Sequence, residues 1–243
     1  MKVLVLSATG GTGRLIVREA TAKGHSVVAL VRSRANTADL AGAQLIEGDA
    51  RDKGALIRAL EGCDAVVSSL GTGISPFREV TSLSVATRAL VAAIGRCNVR
   101  RFVCITGMSA GDSRSHGGFL YDRLILPLLL RKMYEDKDRQ EDVIRPSSLD
   151  WVIVRPAVLN NEAARGRVWA VTDLSKVHGG KIARADVARF VVDQLTGDTW
   201  LHRAPLILWR WEHTQNPPLI QSAQPVPDWL CDHEAVKIGH LTP

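Results

Sequence analysis

Ser7-Ala8-Thr9-Gly10-Gly11-Thr12-Gly13 follows the apolar run Lys2–Leu6 and precedes a stretch with helical spacing. A turn of small residues between a strand and a helix lets backbone approach a pyrophosphate. Gly10 removes a side chain that would stand in the way, and Gly13 permits tight helix–strand packing. The free N–H groups and positive dipole end of the helix attract the anion. Ser7 stands where such a fingerprint usually has its first glycine, and a small residue still permits the turn. The chemistry these residues predict is the holding of a dinucleotide, NAD(P)(H), by Thr9, Gly10, Gly11, Thr12 and Gly13.

The next run, Ser26–Val31, ends in Arg32-Ser33-Arg34. An acidic residue there would bind a free ribose, whereas arginine accepts a 2′-phosphate, so Arg32 and Arg34 favour NADP(H) over NAD(H). The run 43–47 leads into Gly48-Asp49-Ala50. Asp49 either accepts from the adenine amino group, with Ala50 beside it, or simply forms the turn.

These residues need elements to place them. Short apolar runs at Lys2–Leu6, Ser26–Val31, 43–47, 65–69, 101–106 and 150–155 read as strands. Between them, 14–23, 53–60, 80–97, 119–144 and 185–195 carry helical spacing. Pro127 breaks the fourth helix, and Gly107 to Gly118 reads as a loop. Strands alternating with helices and joined by glycine turns imply a parallel sheet covered on both faces. The expected fold is α/β, a Rossmann-like doubly wound parallel sheet with a small C-terminal lobe on the substrate side. Residues 1–198 would form the NAD(P)-binding domain, with substrate-side elements within 107–183. Residues 199–243, with Pro205, Pro217, Pro218, Pro225 and Pro227 and with Trp209, Trp211 and Trp229, would form an arm over the substrate side or against another subunit.

The chain has 243 residues, 46% hydrophobic and 23% charged, ordinary for a folded soluble domain. Net charge is +6, but no basic stripe is interleaved with aromatics, so no nucleic acid is expected. The longest apolar run, 124–130, contains Pro127 and is too short to span a bilayer. Four cysteines without a CxxC pair, and no cluster with metal spacing, point to a reduced cytoplasm and no metal. Cys104 lies within a strand and reads as packing.

Several motifs occur in the order found in one group: Ala8-Thr9-Gly10-Gly11-Thr12-Gly13, Gly48-Asp49, Ser69-Leu70-Gly71, Lys137 with Glu141, Leu149-Asp150-Trp151-Val152-Ile153-Val154-Arg155-Pro156, and Ala183-Arg184-Ala185-Asp186-Val187-Ala188. On these residues the span 1–195 resembles the atypical short-chain dehydrogenases/reductases, within them the NAD(P)H-binding, NmrA-like group that includes biliverdin-IXβ/flavin reductase. The resemblance implies that Leu70 and Gly71 flank the nicotinamide side, that Thr106 ends the fifth strand beside it, that Pro156 starts the loop over the nicotinamide, and that Asp186 is structural.

The chain departs from that pattern at the proton-transfer residues. Reductases of the usual short-chain kind carry Tyr-x-x-x-Lys, but Met133 stands four residues before Lys137, and Tyr134 is one residue further on, about 100° around a helix. Gly107 stands where serine is expected, and Ser109 lies two residues beyond it. The candidate catalytic residues are thus Ser109, Tyr134 and Lys137, with Tyr134 expected on a different helix face. Lys137 either holds the nicotinamide ribose or is a solvated partner of Glu141. His116, Tyr121 and His178, in or after loops, could each donate a proton.

Two functions fit. One is an NAD(P)H-dependent oxidoreductase acting on a planar conjugated substrate, a flavin, quinone or aromatic polyketide-like ring, as in secondary-metabolite tailoring. The other is a non-catalytic NAD(P) sensor that binds a protein partner. A small aromatic or flavin-like substrate and a homodimer are the expected partners, without a membrane.

Overall fold

Alternation along each strand sorts the core into two layers. Val3 and Val5 of β1 (Lys2–Leu6) pack on one face of the sheet, and Leu4 and Leu6 on the other. The same holds for Ala29 and Val31 against Val28 and Leu30 of β2 (Ser26–Val31). Both faces are apolar because both are covered. In the computed structural model, which describes residues 1–73, 78–114, 116, 121–175, 177 and 179–210, α1 (Gly11–Ala22) and α5 (Arg184–Asp193) cover one face. On the other lie α2 (Lys53–Leu60), α3 (Ser82–Ile94) and the end of α4 (Arg131–Ile144).

The remaining strands are β3 (Gln44–Glu47), β4 (Ala65–Ser68), β5 (Arg101–Ile105), β6 (Asp150–Pro156), β7 (Val158–Asn160), β8 (Trp169–Val171), β9 (Lys181–Ala183) and β10 (Leu206–Leu208). One eight-stranded sheet has the order β3-β2-β1-β4-β5-β6-β10-β8. All its pairs are parallel except β10 with β8. The chain winds outward from β1 in both directions, so a crevice opens between the ends of β1 and β4, the switch point where such folds bind dinucleotides. The doubly wound parallel sheet read from the sequence is the observed fold. A second, two-stranded sheet pairs β7 with β9 in parallel.

Two regions differ from expectation. Tyr121–Leu130 winds as a π-helix with Pro127 inside it, and regular α-helix begins only at Arg131. Proline lacks the N–H that an α-helical ladder needs, so Pro127 changes the winding without ending the helix. The first residues of the expected C-terminal arm belong to the main sheet: Leu206 and Ile207 pair with Arg155 and Pro156. Residues 211–243, including Trp211 and Trp229, lie outside the described residues.

Trp209 closes this end of the sheet. Its ring is buried, lies under the Arg165 guanidinium at 3.8 Å, and donates from Nε1 to Asp186 at 2.7 Å. The fully buried Asp186 carboxylate also accepts from the backbone N–H groups of Arg165 and Gly166, both at 2.9 Å. Asp186 is thus structural, joining the start of α5, the 161–166 loop and the residue after β10.

The closest packing constraint lies at β1 and α1. Ser7 has φ of +60°, and a Cβ on Gly13 would fall 2.1 Å from the Ser7 carbonyl oxygen. Gly13→Ala forces helix and strand apart. It is expected to cost about 2–3 kcal/mol in urea unfolding, the range of overpacked sites. A variant as stable as the wild type would refute this.

Candidate functional site

The glycine turn, Thr9 to Gly13, joins the end of β1 to the start of α1. No side chain caps this helix N-terminus, so its first N–H groups face the crevice without an intrahelical partner. A Cβ on Gly10 would lie 3.2 Å from both the carbonyl and the hydroxyl oxygen of Ser7, which leaves no slack for a larger residue. These residues fit a dinucleotide pyrophosphate: backbone donors, a positive helix end and space that a side chain would fill.

Because the strands are parallel, their ends bring the other candidates to the same edge of the sheet. Arg32 and Arg34 follow β2, Asp49 and Ala50 follow β3, and Leu70 and Gly71 follow β4. Thr106 follows β5, and Pro156 ends β6. Gly48 is required because a Cβ there would lie 2.5 Å from that of Ala55. Arg34 is partly engaged, donating to the Leu45 carbonyl at 3.3 Å and lying 4.0 Å from Glu47. Among the described residues Arg32 has no hydrogen bond or ion pair. It is the cation left available after β2.

Asp49 is less available than the sequence implies. Arg51 donates to its carboxylate from the backbone, from Nε and from Nη2, at 2.8, 2.9 and 2.6 Å. These side-chain and backbone hydrogen bonds hold its pKa down at about 2. Sequence reasoning also missed Arg14. It donates from Nε to the Thr9 carbonyl at 2.8 Å, from Nη2 to the Asn36 carbonyl at 3.0 Å, and pairs with Asp39. It therefore straps the glycine turn to the loop that carries Arg32 and Arg34. Its position just after Gly13 was the available signal.

The catalytic candidates sit differently from expectation. Tyr134 does not point away from the strand-five turn. Its hydroxyl lies 3.0 Å from where a Cβ on Gly107 would be, and its ring fills the volume a serine there would need. Lys137, buried, donates from Nζ to the Thr106 carbonyl at 2.5 Å. Residues three apart on a helix share a face, so Tyr134 and Lys137 reach adjoining residues, Gly107 and Thr106. The shifted tyrosine and the missing serine are thus one steric change. Burial pushes the Lys137 amine below the usual lysine range, so it is not a solvated lysine. Ser109 is fully buried, with no hydrogen-bond partner for its hydroxyl among the described residues, so it does not reach the crevice surface. His116 bonds the Arg114 carbonyl through Nδ1 at 3.0 Å. The Tyr121 side chain and His178 lie outside the described residues.

A buried charge network fixes the turn after β5. Glu141 and Arg155 are each 1% exposed, and Arg155 Nε and Nη2 donate to the two oxygens of Glu141 at 2.9 and 2.6 Å. Glu141 also accepts from the Thr106 hydroxyl at 2.9 Å, while Arg155 reaches Asp112 at 2.5 Å. Burial opposes the Arg155 charge, but Glu141 and then Asp112 outweigh it and raise the pKa above that of ordinary arginine. Gly111, at φ of +55°, leaves room for this guanidinium, since a Cβ there would lie 2.4 Å from Nη2. Asp138 on α4 accepts from the Gly111 N–H at 2.7 Å and pairs with Arg114.

Two cysteines are packed into the core. Burial pushes the Cys104 thiol up to about 12 and that of Cys63 to about 11, so both are held as thiols. Among the described residues no group of three potential metal ligands occurs, and no helix is long and apolar enough to cross a membrane.

Comparison with known proteins agrees with this geometry. Residues 7–198 match a family described as NAD(P)H-binding. YhfK of Bacillus subtilis (strain 168), named an uncharacterized sugar epimerase, is 31% identical over 214 residues, which span 84% of this chain and 92% of that protein. Among solved structures, ChuY, an anaerobillin reductase from Escherichia coli O157:H7, superposes with a TM-score of 0.74 at 22% identity, covering 90% of this chain and all of that one. A short-chain dehydrogenase/reductase from Veillonella parvula DSM 2008, solved with NADP, gives 0.72 at 14% identity over 89% and 98% of the two chains. At these identities the structures share the fold.

Breaking the buried pair from one side leaves an uncompensated charge. Glu141→Leu and Arg155→Met are each expected to cost about 3–5 kcal/mol in chemical denaturation. The double variant should cost less than their sum by about 2 kcal/mol. Strict additivity would show that the two residues are not coupled.

Proposed function

We propose that this chain, a member of the NAD(P)H-binding family, is an NADPH-dependent reductase of a planar, conjugated acceptor such as a flavin, a quinone or a polyketide-like aromatic ring. The reading rests on one arrangement: an uncapped glycine turn facing the β1–β4 crevice, with the Arg32 guanidinium unpaired among the described residues at the end of the neighbouring strand. Thr9 to Gly13 would hold the pyrophosphate, and Arg32, with Arg34 beside it, the 2′-phosphate. Leu70, Gly71, Thr106 and Pro156 border the end where the acceptor enters.

When bound, NADPH supplies a hydride. A conjugated ring disperses the incoming electron pair, so positioning matters more than a dedicated proton donor. The residues present suit that division. Lys137 and the Glu141–Arg155 pair hold the turn after β5 in place, and the Tyr134 ring packs behind Gly107. Ser109, buried in the same turn, takes no part in proton transfer.

The test is NADPH oxidation with FMN, FAD, a quinone series and anaerobillin, the compound that ChuY is named for reducing. Turnover with any of these supports the proposal. Tight NADPH binding with no turnover across the series would instead favour a non-catalytic sensor that acts on a protein partner.

Two variants sharpen the reading. Arg32→Ala removes one charge-assisted phosphate contact. It should weaken NADPH binding by about 1.5–3 kcal/mol and leave NADH nearly unchanged in calorimetry. Equal wild-type affinity for the two nucleotides would sink the preference. Tyr134→Phe should lower kcat less than about tenfold, whereas a true general acid contributes about 10²–10⁴-fold. A thousandfold loss with cofactor affinity intact would make Tyr134 the proton donor.

A further inference from the structure

Arg184 occupies a place that ordinary protein packing does not explain. It begins α5, directly after β9, and its side chain crosses to the neighbouring α1. A Cβ on Gly11 would meet Arg184 Nε at 3.3 Å and Cδ at 3.4 Å, so the side chain lies over the first residue of α1. Its Nη1 donates to the Asn161 side-chain oxygen at 2.8 Å. Asn161 is an amide, and among the described residues Arg184 has no carboxylate partner. Glu162, next to Asn161 in the chain, is engaged elsewhere, with Arg165 and Lys181.

A guanidinium is normally placed beside a carboxylate, an aromatic face or the carbonyl end of a helix. Arg184 instead sits at the amide end of α1, where the dipole is positive and no side chain caps the free N–H groups. Two positive groups facing the same space repel each other until an anion lies between them. The glycine at position 11 is what lets the arginine come so close.

We propose that Arg184 is a pyrophosphate-binding residue, swung from the second, two-stranded sheet across the glycine turn to close the cofactor crevice from the side opposite the backbone donors. This rests on the dinucleotide site proposed above and adds a residue from outside the glycine turn. Asn161, next to the end of β7, is its positioning residue. The cofactor is then gripped by both the main sheet and the segment around β7 and β9. The 161–166 loop, already anchored by Asp186, then positions Asn161 and through it the Arg184 guanidinium at the glycine turn.

The experiment measures Kd for NADPH and NADH, together with the melting temperature of the cofactor-free protein. It compares the wild type with Arg184→Ala, Arg184→Lys and Asn161→Ala. The pyrophosphate is common to both nucleotides, so Arg184→Ala should raise both Kd values alike, by about ten- to a hundredfold. Arg32→Ala, by contrast, should raise the Kd for NADPH alone. The salt dependence of binding should flatten, Arg184→Lys should recover part of the loss, and Asn161→Ala should cost a smaller factor than Arg184→Ala. Removing a cation from a positive helix end should leave the melting temperature of the cofactor-free protein unchanged or raise it. Affinities within twofold of wild type overturn the proposal. So does a loss of affinity accompanied by a lower melting temperature of the cofactor-free protein, the mark of a purely structural arginine. A wild type that binds neither nucleotide refutes the dinucleotide site itself, whereas a wild type that binds while Arg184→Ala is indifferent refutes only the role of Arg184.

Discussion

The backbone contact between Ser7 and Gly13 sets the rest of the site. With no room for a Cβ at Gly13, α1 leaves β1 at the one angle that turns its amide end toward the crevice. Ser7 adopts a left-handed backbone conformation to make that turn, an arrangement a serine tolerates at some cost. The parallel sheet then does the remaining placement. Strands that run the same way present all their carboxyl ends at one edge, so residues far apart in the chain, from Arg32 to Pro156, converge without any special device.

A second constraint holds the turn after β5. Its residues could follow many paths between β5 and α4. They follow one because Glu141 and Asp138 on α4, together with Arg155 on β6, each grip a different point: the Thr106 hydroxyl, the Gly111 N–H and Asp112. Arg155 also matches Glu141 with two donors, the geometry that makes a buried ion pair tolerable. Burying these charges is tolerable because nearly every donor and acceptor in the network finds a partner. The result is a stiff wall on one side of the crevice, behind which Tyr134 and Lys137 are packed.

Strands, most helices and the glycine turn were legible in the sequence because each depends on local spacing. The run Val3 to Leu6 is apolar at every position since both faces of its strand are covered, and the Gly10–Gly13 turn has its strand and helix on either side. What was not legible depends on contacts between distant segments. An offset of one residue around the α4 axis points Tyr134 to a different face, yet its ring still reaches the turn after β5. The glycine at 107, which makes room for the shifted ring, lies on another element. Arg184 was visible only as part of a motif, and nothing local to it says that Gly11 lies underneath. The strand at Leu206–Leu208 is three residues long and preceded by Pro205, so its apolar signal was lost in a segment that reads as loop. Its register against Arg155 and Pro156 is a property of the finished sheet.

Asp186 makes the fold at this end of the sheet depend on segments far apart in the chain. Its carboxylate is buried, among the described residues without a cation in hydrogen-bonding contact, and three N–H groups bond it: two from the 161–166 loop and one from Trp209. During translation the loop and α5 leave the ribosome well before Trp209 does. Until then the acid lacks one of its donors, and β6 lacks the neighbour that β10 provides. A nascent or prematurely terminated chain that ends before Trp209 therefore carries an under-satisfied carboxylate and an open sheet edge next to the crevice. Both faults are removed by the same short segment, Leu206 to Trp209, so one corner of the sheet completes a strand ladder and a buried acid at once.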